Sequence, residues 1–417
     1  MYVRGIACIA AALLFPAAGH AQTTTIEVYY ASPSVFNPTM HQIKDEFERA
    51  HPNVTIKYPP PAASYDEAIP QVLRGSIAGQ IPDVMLAGAN HVRLLADRGL
   101  AVPLDSFVNG ASAWSALGFP DSIMSLTRTD GKTYGVPFSI SMQVLHVNKT
   151  LLDKAGIKYA KFPDNWEELA DYGQQVSAVT GIPGGFAFQY DAWGNWMLEA
   201  LIKSKGGQMG SESSCKVGFD SAAGAWALET LEMFRRKGMT GLSQNQARQA
   251  FLAGQIAVLA FSSSFVGQAT RETSGKFEYR TFPWPIPDAK GRLPAGGSVA
   301  VLLAKDPARQ RAAWQFIEFI AGPAGQEIMV RNTGYLPSNL KAASSLEAHF
   351  DKNPNLKTSV AQLKHLSDWH TWPGPNGIKI ITAIQDQVDG VVLGRTSARE
   401  AMSSMVREVQ KLLPPCA

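Results

Sequence analysis

What the chain lacks narrows its options first. Cysteine occurs three times in 417 residues, so no dense disulfide scaffold stands in for a hydrophobic core. Charged residues make up 18% of the chain, the formal net charge is +3, and no long basic run appears. Nucleic-acid binding needs a concentrated basic face, and none is written here. No apolar run approaches the roughly 20 residues that cross a bilayer. There is no Gly-x-Ser-x-Gly elbow, no complete Gly-x-x-x-x-Gly-Lys-Ser/Thr phosphate loop and no His-Glu-x-x-His pair. That removes the commonest signatures of serine hydrolases, nucleotide enzymes and zinc proteases. Cys215 has no histidine near it in sequence, and His365 and His370 read as surface histidines rather than metal ligands. Asp45, Glu46 and Glu48 read as one solvated helix face. Neither a cofactor motif nor a metal site emerges, and there are no internal repeats.

What is present is a large apolar fraction, 45% of residues, ample for a core. Single cores stop growing near roughly 250–300 residues, so two lobes are expected. The N-terminus carries Arg4, an apolar stretch from Ile6 to Ala18 and small residues at Gly19-His20-Ala21. This is the pattern of a secretory signal peptide, cleaved after about Ala21. Cys8 falls before that apolar stretch ends, too early for a lipid anchor. The mature chain is expected to be exported to the periplasm. There Cys215 and Cys416 form a disulfide or remain two free buried thiols; spacing alone leaves both open.

Along the mature chain, short β-rich runs alternate with helical patterns. Thr23–Tyr30, Val54–Tyr58 and Pro82–Leu86 read as strands; His41–Ala50 and Tyr65–Ala78 between them read as helices. That order predicts a parallel α/β sheet, with ligands outside the carboxyl ends of its strands. Gly135–Ser139 breaks the pattern as a first crossing between lobes, and Val144–Asn148 resumes as a strand. A second set follows: helices Asn165–Val179, Ala222–Lys237 and Gln244–Ala253, then a strand Ile256–Phe261 ending in Ser262-Ser263-Ser264. Phe282–Pro287 is too rich in proline for a helix or a central strand. Gly296-Gly297-Ser298, leading into strand Val299–Ala304, reads as a return crossing. Helix Arg309–Ala321 is stopped by Gly322-Pro323, Gly334–Pro337 is a third break, and helices Ile378–Leu393 and Ser397–Leu413 close the chain. Three crossings between two rigid bodies make a hinge able to close on a ligand.

Several stretches, in order and over nearly the full length, resemble one family. They are Phe47–Val54, Pro82-Asp83-Val84, Tyr134–Phe138, Val147–Gly156, Gly296-Gly297-Ser298, Phe316–Ile320 and Thr333–Pro337. The chain resembles the extracellular solute-binding proteins of ABC importers, the family that includes maltose-binding and glycerol-3-phosphate-binding periplasmic proteins. The resemblance implies a two-lobed type II periplasmic binding protein fold with three hinge crossings and a ligand cleft between lobes. The N-terminal lobe would comprise 22–138 plus 297–337, and the C-terminal lobe 139–296 plus 338–417. It also implies an inner-membrane permease as partner, no enzyme activity and a monomer.

The resemblance is strongest to the branch binding glycerol-3-phosphate and its diesters, and it carries over specific positions. Tyr65 and Tyr335 match ligand tyrosines, Ser141 and Ser262 ligand serines, and Gly297 a glycine whose N–H faces the ligand. Trp193 and Trp196 match two pocket tryptophans; were that stretch helical, both would lie on one side of it. Two positions depart. Ala89 stands where the branch has an acid, and its phosphate-pairing arginine falls on Ile381 or, with a small gap, on Lys379. Lys379 offers a point charge without the arginine fork. The bland readings are core packing for the tryptophans, half-buried surface for the tyrosines and a plain turn for Ser262. Neutral mono- or oligosaccharides stay open as cargo. An exported hydrolase of such compounds would need paired carboxylates or a nucleophile. A binding protein serving a sensor is a third reading.

Overall fold

The computed structural model describes residues 23–108, 111–191, 194–210 and 215–415. The signal segment, Cys8, Trp193 and Cys416 lie outside the described residues. Ten strands build two main sheets: β1 (Thr24–Tyr29), β2 (Val54–Lys57), β3 (Val84–Gly88), β4 (Val136–Ser141), β5 (Gln143–Asn148), β6 (Phe186–Phe188), β7 (Val258–Ser262), β8 (Tyr279–Pro283), β9 (Gly296–Leu302) and β10 (Leu336–Pro337). The first sheet runs β10-β4-β9-β3-β1-β2 and the second β8-β5-β7-β6. Seven helices matter below: α1 (Pro33–Ala50), α2 (Tyr65–Ile77), α3 (Trp196–Ser204), α4 (Gln244–Leu252), α5 (Pro307–Ala321), α6 (Gly377–Val392) and α7 (Ala398–Leu412).

The first sheet is mixed, not wholly parallel. β1 pairs in parallel with β2 and β3, but β9 returns from the other half of the chain and lies antiparallel between β3 and β4. Gly135–Ser139, expected as a break, is mostly strand: β4 is buried along its whole length. The crossing comes after it. Met142 alone separates β4 from β5, and the two strands belong to different sheets. This joint is fastened to the turn after β7, where the Met142 N–H donates to Ser263 Oγ at 3.1 Å and the Ser263 N–H to the Met142 carbonyl at 2.8 Å. The proline-rich segment behaves as its composition requires, with β8 at the edge of the second sheet.

Helix boundaries largely follow the apolar period. α1 starts eight residues before the expected His41, at Pro33, because Pro33 and Pro38 disguise turns that proline tolerates near a helix start. Gly322 does end α5, but Pro323 at once opens a further helix, Pro323–Asn332. Trp196 opens a helix rather than continuing one. Asn195 has φ +64° and α3 begins only at Trp196. Cys215 is disulfide-bonded, with its partner outside the described residues. Gln410 Nε2 donates to the Cys215 carbonyl at 2.5 Å, so α7, the helix that leads toward Cys416, ends against it.

Beneath the second sheet, His146 is fully buried. Its Nε2 lies 3.0 Å from the Ser262 carbonyl and its Nδ1 2.7 Å from the Tyr279 hydroxyl. A carbonyl only accepts, so Nε2 carries the proton and Nδ1 accepts from the tyrosine. Burial lowers the His146 pKa to about 3. Burial also lowers His370, expected at the surface but 7% exposed, to about 4. Both groups are held neutral by folding, so their contribution is complete above the unfolded value near 6.5 and is lost as pH falls toward 4 and 3. We expect Tm to drop steadily from pH 7 to pH 4, each histidine adding a slope of up to about 1.4 kcal/mol per pH unit. A flat thermal profile over that range would refute this.

Candidate functional site

A cavity of about 200 Å³ lies between the two sheets. Its walls are strand ends and helix starts, where open α/β sheets gather ligand groups. Tyr65, Ser141, Trp196, Ser262, Gly297 and Tyr335, all singled out from the sequence, line this one cavity. Trp193 lies outside the described residues. Lys379 is exposed on α6 and does not line the cavity. Its neighbour Ile380 points into the core, and one residue of helix turns the lysine outward. Ile381 reaches only as far as Asn195, whose amide donates to its carbonyl at 3.2 Å.

Each side chain is held for a local reason. Ser64 caps α2 by accepting from the Glu67 N–H, so the helix begins with the Tyr65 ring at the cavity wall. The Tyr65 hydroxyl faces Tyr335 and Ser298, and burial raises its pKa well above the usual 10. No hydrogen bond of good geometry satisfies it. The Tyr335 ring stacks on Phe36 at 5.2 Å between centroids, and its hydroxyl sits among Tyr65, Ser264 and Arg248. Ser262, at the end of β7, accepts from the Ser264 N–H at 3.2 Å and the Ser264 hydroxyl at 2.9 Å. On the opposite wall, Gly296 pairs with Ser141 across β9 and β4. A Cβ on Gly296 would come within 2.6 Å of the Trp196 ring, so glycine here gives the indole its seat.

Of the lining residues that sequence reasoning missed, two matter most for ligand chemistry. Trp369 is 4% exposed, and its ring centroid lies 6.1 Å from that of Trp196. The pair Trp196–Trp369 supplies the flat apolar faces expected of Trp193 and Trp196. The segment carrying Trp369 is strapped to α3. Leu293–Pro294 pairs with Leu366–Ser367, Trp196 Nε1 donates to the Pro294 carbonyl at 3.0 Å, and the His370 N–H donates to Glu199 Oε1 at 3.0 Å. Lys203 binds Glu199 at 3.0 Å and Asp368 at 3.1 Å. With two carboxylates around one ammonium, burial and excess negative charge raise the Glu199 pKa. Burial alone would lower Lys203, but its two partners hold it above the usual lysine value.

The second missed residue is Arg248 on α4, 5% exposed. One guanidinium nitrogen donates to Ser34 Oγ on α1 at 3.2 Å, and another to Gln268. The cation lies 5.3 Å from the centre of the Phe265 ring. A helical arginine five places after the Ser243 N-cap reads as solvent-facing, so only the fold reveals it. Asp191 also lines the cavity, but both its oxygens accept from the Gln244 N–H at the start of α4. Contacts cross from one sheet's elements to the other's: Arg248 to Ser34, and the Gly194 N–H to Asp66 Oδ2 at 2.9 Å. The cleft is therefore shut around its aromatic residues. No group of three or more metal-ligating side chains occurs among the described residues, and no described helix is long and apolar enough to cross a membrane.

Comparison with known proteins bears on the fold and the family. A family model described as bacterial extracellular solute-binding protein matches residues 42–358. A binding protein of Brucella abortus is 23% identical over 86% of this chain and 85% of its own. The sn-glycerol-3-phosphate-binding periplasmic protein UgpB of Escherichia coli is 23% identical over 95% and 94%. Among solved structures, UgpB from Mycobacterium tuberculosis in complex with glycerophosphocholine superposes with a TM-score of 0.81 at 20% identity, covering 94% of this chain and 98% of that one. The GacH receptor of Streptomyces glaucescens, studied with acarbose, gives 0.80 at 22% identity, with the same coverage.

Proposed function

The chain belongs to the bacterial extracellular solute-binding protein family, whose members bind small solutes for ABC importers and are not enzymes, and from that premise we propose its cargo, site and place of work. The cargo is glycerol-3-phosphate, a glycerophosphodiester or a related small polyol. The observation that carries this is the convergence of Tyr65, Ser141, Trp196, Ser262, Gly297 and Tyr335 on one closed cleft. Rings cover the carbon skeleton while hydroxyls and a backbone N–H meet its oxygens. Trp369 joins the set, and Lys379 leaves it.

In mechanism, the open protein presents half of these contacts on each lobe, and only closure offers both to the ligand. The ligand therefore shifts the hinge toward the shut state by its differential affinity. The sheets move the expected lobe bounds by a few residues, because Val136–Ser141 and Gly296–Leu302 lie whole in the first sheet: 22–141 plus 296–337 and 142–295 plus 338–417. The mature protein works in the periplasm as a monomer after cleavage near Ala21, and hands its cargo to an inner-membrane permease.

A neutral sugar is the second reading. Sugar-complexed relatives superpose as well as the phosphodiester one: maltose-bound MalE3 of T. maritima has a TM-score of 0.81 at 19% identity, and two facing indoles suit a sugar ring. A thermal-shift series with glycerol-3-phosphate, glycerophosphocholine, maltose and trehalose separates the two. A true ligand at a hundred times its Kd stabilises by roughly 2.7 kcal/mol. Trp369→Ala is expected to weaken the responding ligand on the order of tenfold to a hundredfold by calorimetry; unchanged affinity would remove Trp369 from the site. Silence toward every compound tested would reject the cargo class.

A further inference from the structure

A buried arginine normally faces a carboxylate, because a desolvated cation without one is costly. Arg248 has none. Among the described residues its hydrogen-bond partners are neutral, Ser34 and Gln268, and Nε lies buried with no acceptor. The carboxylate that acts on it is Glu272, which is hydrogen-bonded to Gln268, and burial pulls the Arg248 pKa below its usual value. Of the carboxylates lining the cleft, Asp191 is engaged by the Gln244 N–H and Glu67 is exposed. Beside the guanidinium stand the hydroxyls of Ser34 and Tyr335. The start of α1 also opens on this end of the cleft. It has no side-chain cap and no acid in its first turn, so its dipole favours negative charge there.

We propose that Arg248, not a residue of α6, is the anion-recognising group of the cleft, and that it selects a small polyol bearing a phosphate or similar oxyanion. The inference rests on the cargo class proposed above and decides within it between anionic and neutral members. Bound oxyanion would meet the cleft-lining guanidinium together with the nearby hydroxyls, giving a negative partner to a cation that already reaches across both lobes. The anion end is thereby moved from the late helix, where the resembling branch keeps its arginine, to α4 and the start of α1. Trp196 and Trp369 are left to cover the organic part.

The test is calorimetric titration of wild type, Arg248→Lys and Arg248→Met with glycerol-3-phosphate, glycerophosphocholine, glycerol and maltose, alongside Tm of each unliganded protein. Wild type is expected to prefer the phosphorylated probes over glycerol and maltose. Arg248→Met should weaken the phosphorylated probes on the order of a hundredfold, and Arg248→Lys by less. The unliganded Arg248→Met protein should melt no lower than wild type, since an uncompensated buried charge is gone; a merely structural arginine would lower Tm on removal. Phosphorylated probes binding Arg248→Met within threefold of wild type would overturn the assignment. So would a wild type that favours maltose, which leaves the family role intact and removes only the anion end. Wild type binding none of the four would reject the cargo class itself.

Discussion

Lys203→Met lowers the unfolding free energy by about 3–5 kcal/mol, measured by urea or thermal denaturation of the unliganded protein. Among the described residues the lysine is the only ammonium between Glu199 and Asp368, and the Glu199 side chain is 2% exposed. Removing the cation leaves a carboxylate in the protein interior with only the His370 N–H to answer it. A protein so damaged has two ways out, proton uptake by Glu199 or local opening of the 366–370 strap. Both loosen the segment that positions Trp369. Adding Glu199→Gln to Lys203→Met should therefore recover much of the stability, because the stranded charge is gone. A single variant as stable as wild type would show that the strap is held by backbone pairing alone.

Gly297→Ala should cost about 3 kcal/mol or more, in stability and in ligand affinity together. Gly297 has φ +115°, a conformation side chains avoid, and a Cβ there would stand 2.0 Å from the Ser139 carbonyl. That carbonyl is backbone of β4 and cannot swing aside. The register slips at the next residues, Ser298 and Val299, so the methyl would push β9 away from β4 at the cleft edge. Gly79→Ala is the control. It also has positive φ, +69°, but nothing lies within 4 Å of its added carbon, and its cost should stay near 1 kcal/mol. Equal losses at the two positions would mean that the close approach at Gly297 is unimportant.

The architecture was legible because its elements obey simple periods. Ile26 and Val28 alternate inward along β1, and Ile43 and Phe47 recur at helical spacing on α1. Pairing order was not legible. Nothing local in Gly296–Leu302 says that it inserts between β3 and β4, two strands from the far end of the chain. The candidate site was legible through the family resemblance, whose positions Ser141, Ser262, Gly297 and Tyr335 sit beside a punctuating glycine, proline or strand end and line one cavity. Arg248 and Trp369 carry no such mark. One lies inside a plain amphipathic helix, the other among polar residues, and each owes its place to partners far away in sequence. Lys379 failed for the converse reason. Its charge is right, but helical rotation decides which way it faces, and a one-residue shift suffices to turn it to solvent.

A single residue, Met142, joins two fully buried strands of different sheets. Such a linkage works as a crank: each half swings relative to the other as a block about a short joint, with little slack to absorb the motion. A translocator resting on the outer surfaces then needs to sense only an angle, and learns that the hold is full without learning what fills it.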